Sequence, residues 1–110
     1  MIISIFTYAE NTLSGKIKGI IIDSETNQPM EYANIVIYNA DSTLVTGGIS
    51  NNTGQFEIKG LNTGDYYAIA NFIGYNKITI NNIKITSNNQ TSDLGKILLS
   101  VITQQLNEVN

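Results

Sequence analysis

Apolar and polar residues alternate along most of this chain, and Gly, Asn, Asp and a single Pro interrupt the alternation at short intervals. A period of two marks strands that bury one face. No stretch carries the three- and four-residue recurrence of an amphipathic helix. The densest example runs from Gly54 to Ala70: a glycine turn, a short alternating run holding Phe56 and Ile58, a second glycine turn at Gly64, and a longer run. Both glycines are expected at hairpin turns with positive φ, joining adjacent strands whose large core residues are Phe56 and Tyr66.

The same grammar predicts seven strands. The first spans Gly15 to Asp23, with Ile17, Gly19 and Ile21 on one face and Lys16 and Lys18 on the other. The second covers Ala33 to Tyr38, after a polar loop in which Pro29 stays off the ladder. The third covers Leu44 to Ser50, where Gly47 and Gly48 suggest a bulge or a close backbone approach. The fourth buries Phe56 and Ile58. The fifth, expected to be the longest, starts after Gly64; Tyr66, Ala68, Ala70 and Phe72 share one face, and Tyr67, Ile69 and Ile73 the other. The sixth covers Lys77 to Thr86, with a bulge at Asn81-Asn82. The last covers Leu94 to Leu99, beyond a polar loop over Ser87 to Ser92. Strands this short and regularly spaced predict an all-β fold: a seven-stranded antiparallel β-sandwich, immunoglobulin-like, with Greek-key connections.

Composition narrows the function. At 110 residues the chain is one domain, large enough for a single two-layer core. It has no Cys, so no disulfide or thiolate site, and no His, the commonest general base and transition-metal ligand. The six cationic residues are all Lys, scattered singly, and the net charge is -3. Nucleic acid, which selects dense positive stripes, is not an expected partner.

Each candidate for chemistry has a plainer reading. Asp23, Glu25 and Glu31 lie near one polar loop but lack the spacing of a calcium loop, so they read as solvated carboxylates. Asp41, Ser42 and Thr43 offer a hydroxyl beside an acid without a general base, and read as a turn. No pair among the nine acids is singled out for glycoside hydrolysis. Tyr32, Tyr38, Tyr66, Tyr67 and Tyr75 could form a platform that stacks on sugars or docks a partner; the plainer reading is core and rim. The sequons at Asn51 and Asn89 matter only in a eukaryotic secretory pathway. Catalytic, cofactor-binding and metal residues are therefore all expected to be none, and the chain is not expected to be an enzyme.

Four fragments in order carry a family resemblance: Gly19-x-Ile21-x-Asp23; Gln28-Pro29-Met30-x-x-Ala33-Asn34-Ile35-x-Ile37; Gly54-x-Phe56-x-Ile58-x-x-Leu61-x-x-Gly64-x-Tyr66; and Ile73-Gly74-Tyr75. Over about residues 14–100 the chain resembles the carboxypeptidase-regulatory-like domain, which implies a transthyretin-like β-sandwich. Leu94-Gly95-x-Ile97-x-Leu99, followed by Leu106-Asn107-Glu108-Val109, is similar to the segment that leads from this domain into the plug and β-barrel of Bacteroidota TonB-dependent receptors. The resemblance implies a periplasmic accessory module at the outer membrane, for docking or spacing, with the rest of its own receptor and periplasmic proteins as partners. The membrane would be reached only through that barrel. The alternatives are a carbohydrate- or surface-binding module of a secreted protein and the accessory domain of a peptidase. Residues 1–13 are expected to be a signal-peptide remnant, since Thr7-Tyr8-Ala9 ends an apolar run, or a flexible N-terminus. Residues 101–110 are expected to be a linker or a strand-adding tail.

Overall fold

Ile is the dominant apolar residue, and its β-branched side chain suits a pleated surface. A computed structural model describes residues 15–103 as seven strands and, among them, no helix. The strands are β1 (Gly15–Asp23), β2 (Asn34–Asn39), β3 (Leu44–Ile49), β4 (Gln55–Leu61), β5 (Gly64–Asn71), β6 (Ile78–Ile85) and β7 (Thr91–Leu99). They form a three-stranded sheet ordered β4-β1-β7 and a four-stranded sheet ordered β3-β2-β5-β6. The readings of residues 1–13 as an export remnant and of Leu106 to Val109 as a lead into a barrel fall outside the described residues.

The inner faces supply one core. Ile17, Ile21, Phe56, Ile58, Leu61, Ile97 and Leu99 come from the smaller sheet, and Ile35, Ile37, Tyr66, Ala68, Ala70, Ile83 and Ile85 from the larger. Phe56 lies opposite Gly19 on β1, where a Cβ would stand 2.9 Å from the ring, so the missing side chain makes room for the phenyl group. The one buried polar residue among those described, Ser50, is satisfied on both sides: it donates to the Met30 carbonyl and accepts from the Ala33 amide at 2.9 Å.

The strands depart from the sequence reading in four ways. First, the sheets are not wholly antiparallel: β1 and β7 run parallel, from Lys16 opposite Thr91 to Asp23 opposite Leu99. Second, neither Gly54 nor Gly64 sits at a hairpin. Gly54 closes the passage from β3 to β4 and Gly64 opens β5 after β4, and both passages change sheets, so Phe56 and Tyr66 face each other's layers rather than neighbouring on one. True hairpins join only β2 to β3 and β5 to β6. Third, β5, at 8 residues, is shorter than β1 and β7, at 9 each. Fourth, the polar Thr91 and Ser92, read as loop, belong to β7 and pair with Lys16 and Ile17, because an edge strand tolerates polar residues.

The bulges have a common location. Gly60 on β4 (φ 77°), Val45 on β3, Asn81-Asn82 on β6 (Asn82 φ 62°) and Leu94-Gly95 on β7 (Gly95 φ 70°) each set an extra residue against the partner strand. All four strands are sheet edges. The predicted bulge at Asn81-Asn82 is present, whereas that of β3 lies two residues before Gly47. At Gly47 itself the backbone approach is close: a Cβ would meet the Ile35 carbonyl oxygen at 3.0 Å. A bulge twists an edge away from flat pairing, and here every edge is so treated.

Candidate functional site

The outer face of the larger sheet carries the most distinctive surface. Tyr38 on β2 and Tyr67 on β5 are cross-strand partners, and their rings stack at 5.0 Å between centroids and 13° between planes. The next outward pair along the same strands is Val36 with Ile69, also half-buried. The Tyr67 hydroxyl donates to Ser42 Oγ at 2.9 Å, tying the stack to the β2–β3 turn. On the neighbouring edge strand Leu44 and Ile49 are exposed. Beside the stack lies an open hollow of about 450 Å³ bordered by Asp65, Tyr67, Asn81, Asn82 and Lys84. Lys84 is already paired with Asp65 at 3.0 Å. A second hollow, of about 420 Å³, borders Lys18, Ile20, Gln55, Glu57 and Asp93 on the smaller sheet.

The Tyr residues divide by role. Tyr66, on the inward face as the alternation predicts, donates its hydroxyl to the Asn62 carbonyl four residues upstream at 2.7 Å. That is the arrangement of a tyrosine corner, which staples the connection between two sheets; burial raises the Tyr66 pKa. Tyr75 donates to Asp23 Oδ2, while Asp23 Oδ1 accepts from the amides of Glu25 at 2.8 Å and Thr26 at 3.2 Å. Tyr32 stands exposed at a positive φ of 69° before β2. No single platform gathers all five.

Of the acidic candidates, Asp23 and Asp41 build turns, while Glu25 and Glu31 are exposed. Asp41 Oδ1 accepts from the Thr43 amide at 3.0 Å and its hydroxyl at 2.7 Å, as expected for a turn. Asn51 Oδ1 likewise accepts from the amides of Thr53 and Gln55. Asp23 does more than the solvated loop carboxylate expected of it, because it closes one end of the sandwich. Among the described residues no three His, Cys, Asp or Glu side chains group closely enough to hold a metal ion, and no helix is long and apolar enough to cross a membrane.

Hydrogen bonding makes three carboxyls more acidic than usual. Asp23 is lowered first by the Tyr75 hydroxyl and then by the two amides, Asp41 by Thr43, and Glu57 by Lys16, whose ammonium lies at 2.9 Å. Each is therefore more acidic folded than unfolded. Such a group stabilises the fold fully above its unfolded pKa and loses that contribution as the pH falls through the depressed folded value. Thermal melts should give a level Tm from neutrality to about pH 5 and a decline below about pH 4. Asp23→Asn should lower the neutral plateau and shallow the acid decline. An unchanged acid limb in that variant would remove Asp23 from the account.

The sequence model of the carboxypeptidase regulatory-like domain matches residues 16–99. A search of curated proteins finds no match. Among solved structures the chain is similar to BcpA, the major pilin subunit of Bacillus cereus, at a TM-score of 0.64 and 21% identity, over 81% of this chain and 30% of that one. It is similar to the shaft pilin SpaA from Lactobacillus rhamnosus GG at 0.58 and 19%, over 86% of this chain and 49% of the pilin. It is also similar to a 9R-lipoxygenase from Cyanothece at 0.56 and 20%, over 86% of this chain and 18% of the enzyme. The chain thus spans less than half the length of each. At these identities the likeness concerns the fold, and one fold shared by pilins and an enzyme does not choose a function.

Proposed function

The chain belongs to the carboxypeptidase regulatory-like domain family, and from that premise we propose that it is a non-catalytic accessory module that spaces and docks the parts of a larger exported protein. The observation that carries this reading is the direction of its first and last strands. Because β1 and β7 lie side by side and run parallel, the chain enters β1 at one pole of the sandwich and leaves β7 at the other. A module so threaded lengthens a linkage by about the span of nine strand residues, roughly 30 Å. An antiparallel pair would return the chain to its starting pole and add little reach.

The larger protein of this proposal is an outer-membrane receptor of the TonB-dependent type, with the module on the periplasmic face and the receptor's own plug and barrel as partner. The transthyretin-like, Greek-key form of the sandwich belongs to the same reading. What supports it is the order of matched fragments from Gly19 to Tyr75 together with Leu106 to Val109. Sequencing the reading frame past Asn110 tests it: a plug and barrel uphold it, and a stop codon or a peptidase domain overturns it.

The Tyr38–Tyr67 stack and its hollow favour one second reading, a carbohydrate- or surface-binding module. Spacing predicts no saturable heat when oligosaccharides are titrated into the protein by calorimetry. Saturable binding that weakens tenfold or so in Tyr67→Ala, roughly the 1.4 kcal/mol expected of a lost stacking contact, would transfer the assignment to the sugar reading.

A further inference from the structure

We infer that the sandwich is a tension-bearing link, in which the parallel β1–β7 ladder acts as a shear clamp between the two poles. The inference rests on the spacer reading for its setting, and on the ladder for its mechanics. Tension on a threaded module pulls β1 outward at Gly15 and β7 outward beyond Leu99, in opposite directions along strands that lie side by side. The seven residue pairs from Lys16–Thr91 to Asp23–Leu99 are then loaded together rather than in turn. Hydrogen bonds across a ladder resist sliding collectively, whereas a ladder opened from one end gives way one pair at a time.

Both ends of the clamp are closed. At the entering pole the Lys16 amide donates to the Gln90 carbonyl at 2.8 Å. At the leaving pole the Ser24 amide donates to the Leu99 carbonyl at 2.9 Å, and the hydroxyls of Ser24 and Ser100 are 3.0 Å apart. The chain stays held beyond the strand. The Asn76 amide donates to the Ser100 carbonyl at 2.8 Å, the Ile102 amide donates to the Gly74 carbonyl at 2.9 Å, and Val101 bridges to Tyr75. Tyr75 in turn donates to Asp23 at the end of β1. The loop between β5 and β6 therefore fastens the departing chain to the larger sheet, so load leaving β7 reaches both layers. This fastening also gives Val101 and Ile102, expected to begin a linker, a place in the fold.

The pull on β1 meets further resistance from its position. It is the middle strand of its sheet, paired antiparallel with β4 on its other side, and Ile17 and Ile21 are fully buried beneath it. Extracting β1 breaks two ladders and exposes the centre of the core in one event.

Single-molecule pulling tests the inference, and the absence of cysteine makes attachment clean. The full chain is pulled in two geometries at one loading rate. In the first it is held by its two termini, which shears the ladder. In the second it is held by the N-terminus and a cysteine at Asn88, in the exposed turn before β7, so that both handles lie at the entering pole and the ladder opens from Lys16. Matching urea midpoints establish that the Asn88→Cys chain folds like the parent. The expected result is one rupture event under terminal pulling, at a force several-fold above that of the Asn88 geometry. Equal forces, or stepwise loss of β7 under terminal pulling, would overturn the clamp. The outcome is separable from the receptor proposal: a reading frame without a barrel leaves a measured clamp intact, and equal forces refute the clamp even if a barrel follows.

Discussion

Gly54→Ala is expected to destabilise the fold by about 2–6 kcal/mol, while Gly74→Ala, at nearly the same backbone angle, should cost only about 1–2 kcal/mol. The two glycines have φ of 78° and 85°, so each substitution forces an L-residue into the left-handed region. Their surroundings differ. A Cβ at Gly54 would lie 2.6 Å from the Ile21 carbonyl oxygen and 3.0 Å from Pro29 Cβ, whereas nothing stands within 4 Å at Gly74. The Gly54 carbonyl also accepts from the Ile21 amide at 2.7 Å, so the turn cannot move away without losing a bond to the central strand of its sheet. Urea unfolding of both variants separates backbone strain from crowding. Equal losses would mean that the turn relaxes and that the contact with β1 is not a constraint.

That turn also illustrates what was legible in the sequence. Alternation alone gave the faces of β1 and β5: Ile17, Gly19 and Ile21 inward, Tyr66 inward, Tyr67 outward. It gave these because side-chain direction is a local property of an extended chain. Pairing is not local. Gly54 and Gly64 promise a reversal of direction, but whether the reversed strand joins its predecessor's sheet or the opposite one depends on which apolar face is still uncovered. Nothing local told β7 to lie parallel to β1. Leu61 is buried three residues after Ile58 rather than two, because Gly60 adds a bulge residue that period two does not anticipate.

The candidate surface was legible to a similar depth. Tyr67 could be placed outward, and Asp41 could be read as a turn residue from its neighbours Ser42 and Thr43. The stacking of Tyr67 on Tyr38 depends on the β2–β5 register, and the bond from Tyr75 to Asp23 joins residues 52 apart in sequence. Such contacts follow from topology, and topology was the part the pattern left open. The edge bulges bear on function too. With β3, β4, β6 and β7 each irregular, addition of a partner's strand to an edge of this sandwich is opposed at all four edges.

Ile35→Ala should give a loss at the upper end of the usual range for such a truncation, about 4–5 kcal/mol, and lower the urea midpoint by about 2–3 M without changing the slope. Ile35 is fully buried in β2, between Gly48 on β3 and Ala70 on β5. Its flanking positions in that row of the inner face are therefore small, and after truncation the row reads Gly, Ala, Ala. Neither flank has atoms to move into the void, and an unfilled cavity retains its full cost. Ala70→Val alone should destabilise by about 1–3 kcal/mol, because the intact core has no room for two methyl groups. In the Ile35→Ala background the same change should partly refill the cavity, so the double variant should be more stable than the sum of the single losses by about 1 kcal/mol or more. Strict additivity in that cycle would show that the two sites do not share space, and that the small flanks are not what makes Ile35 costly to remove.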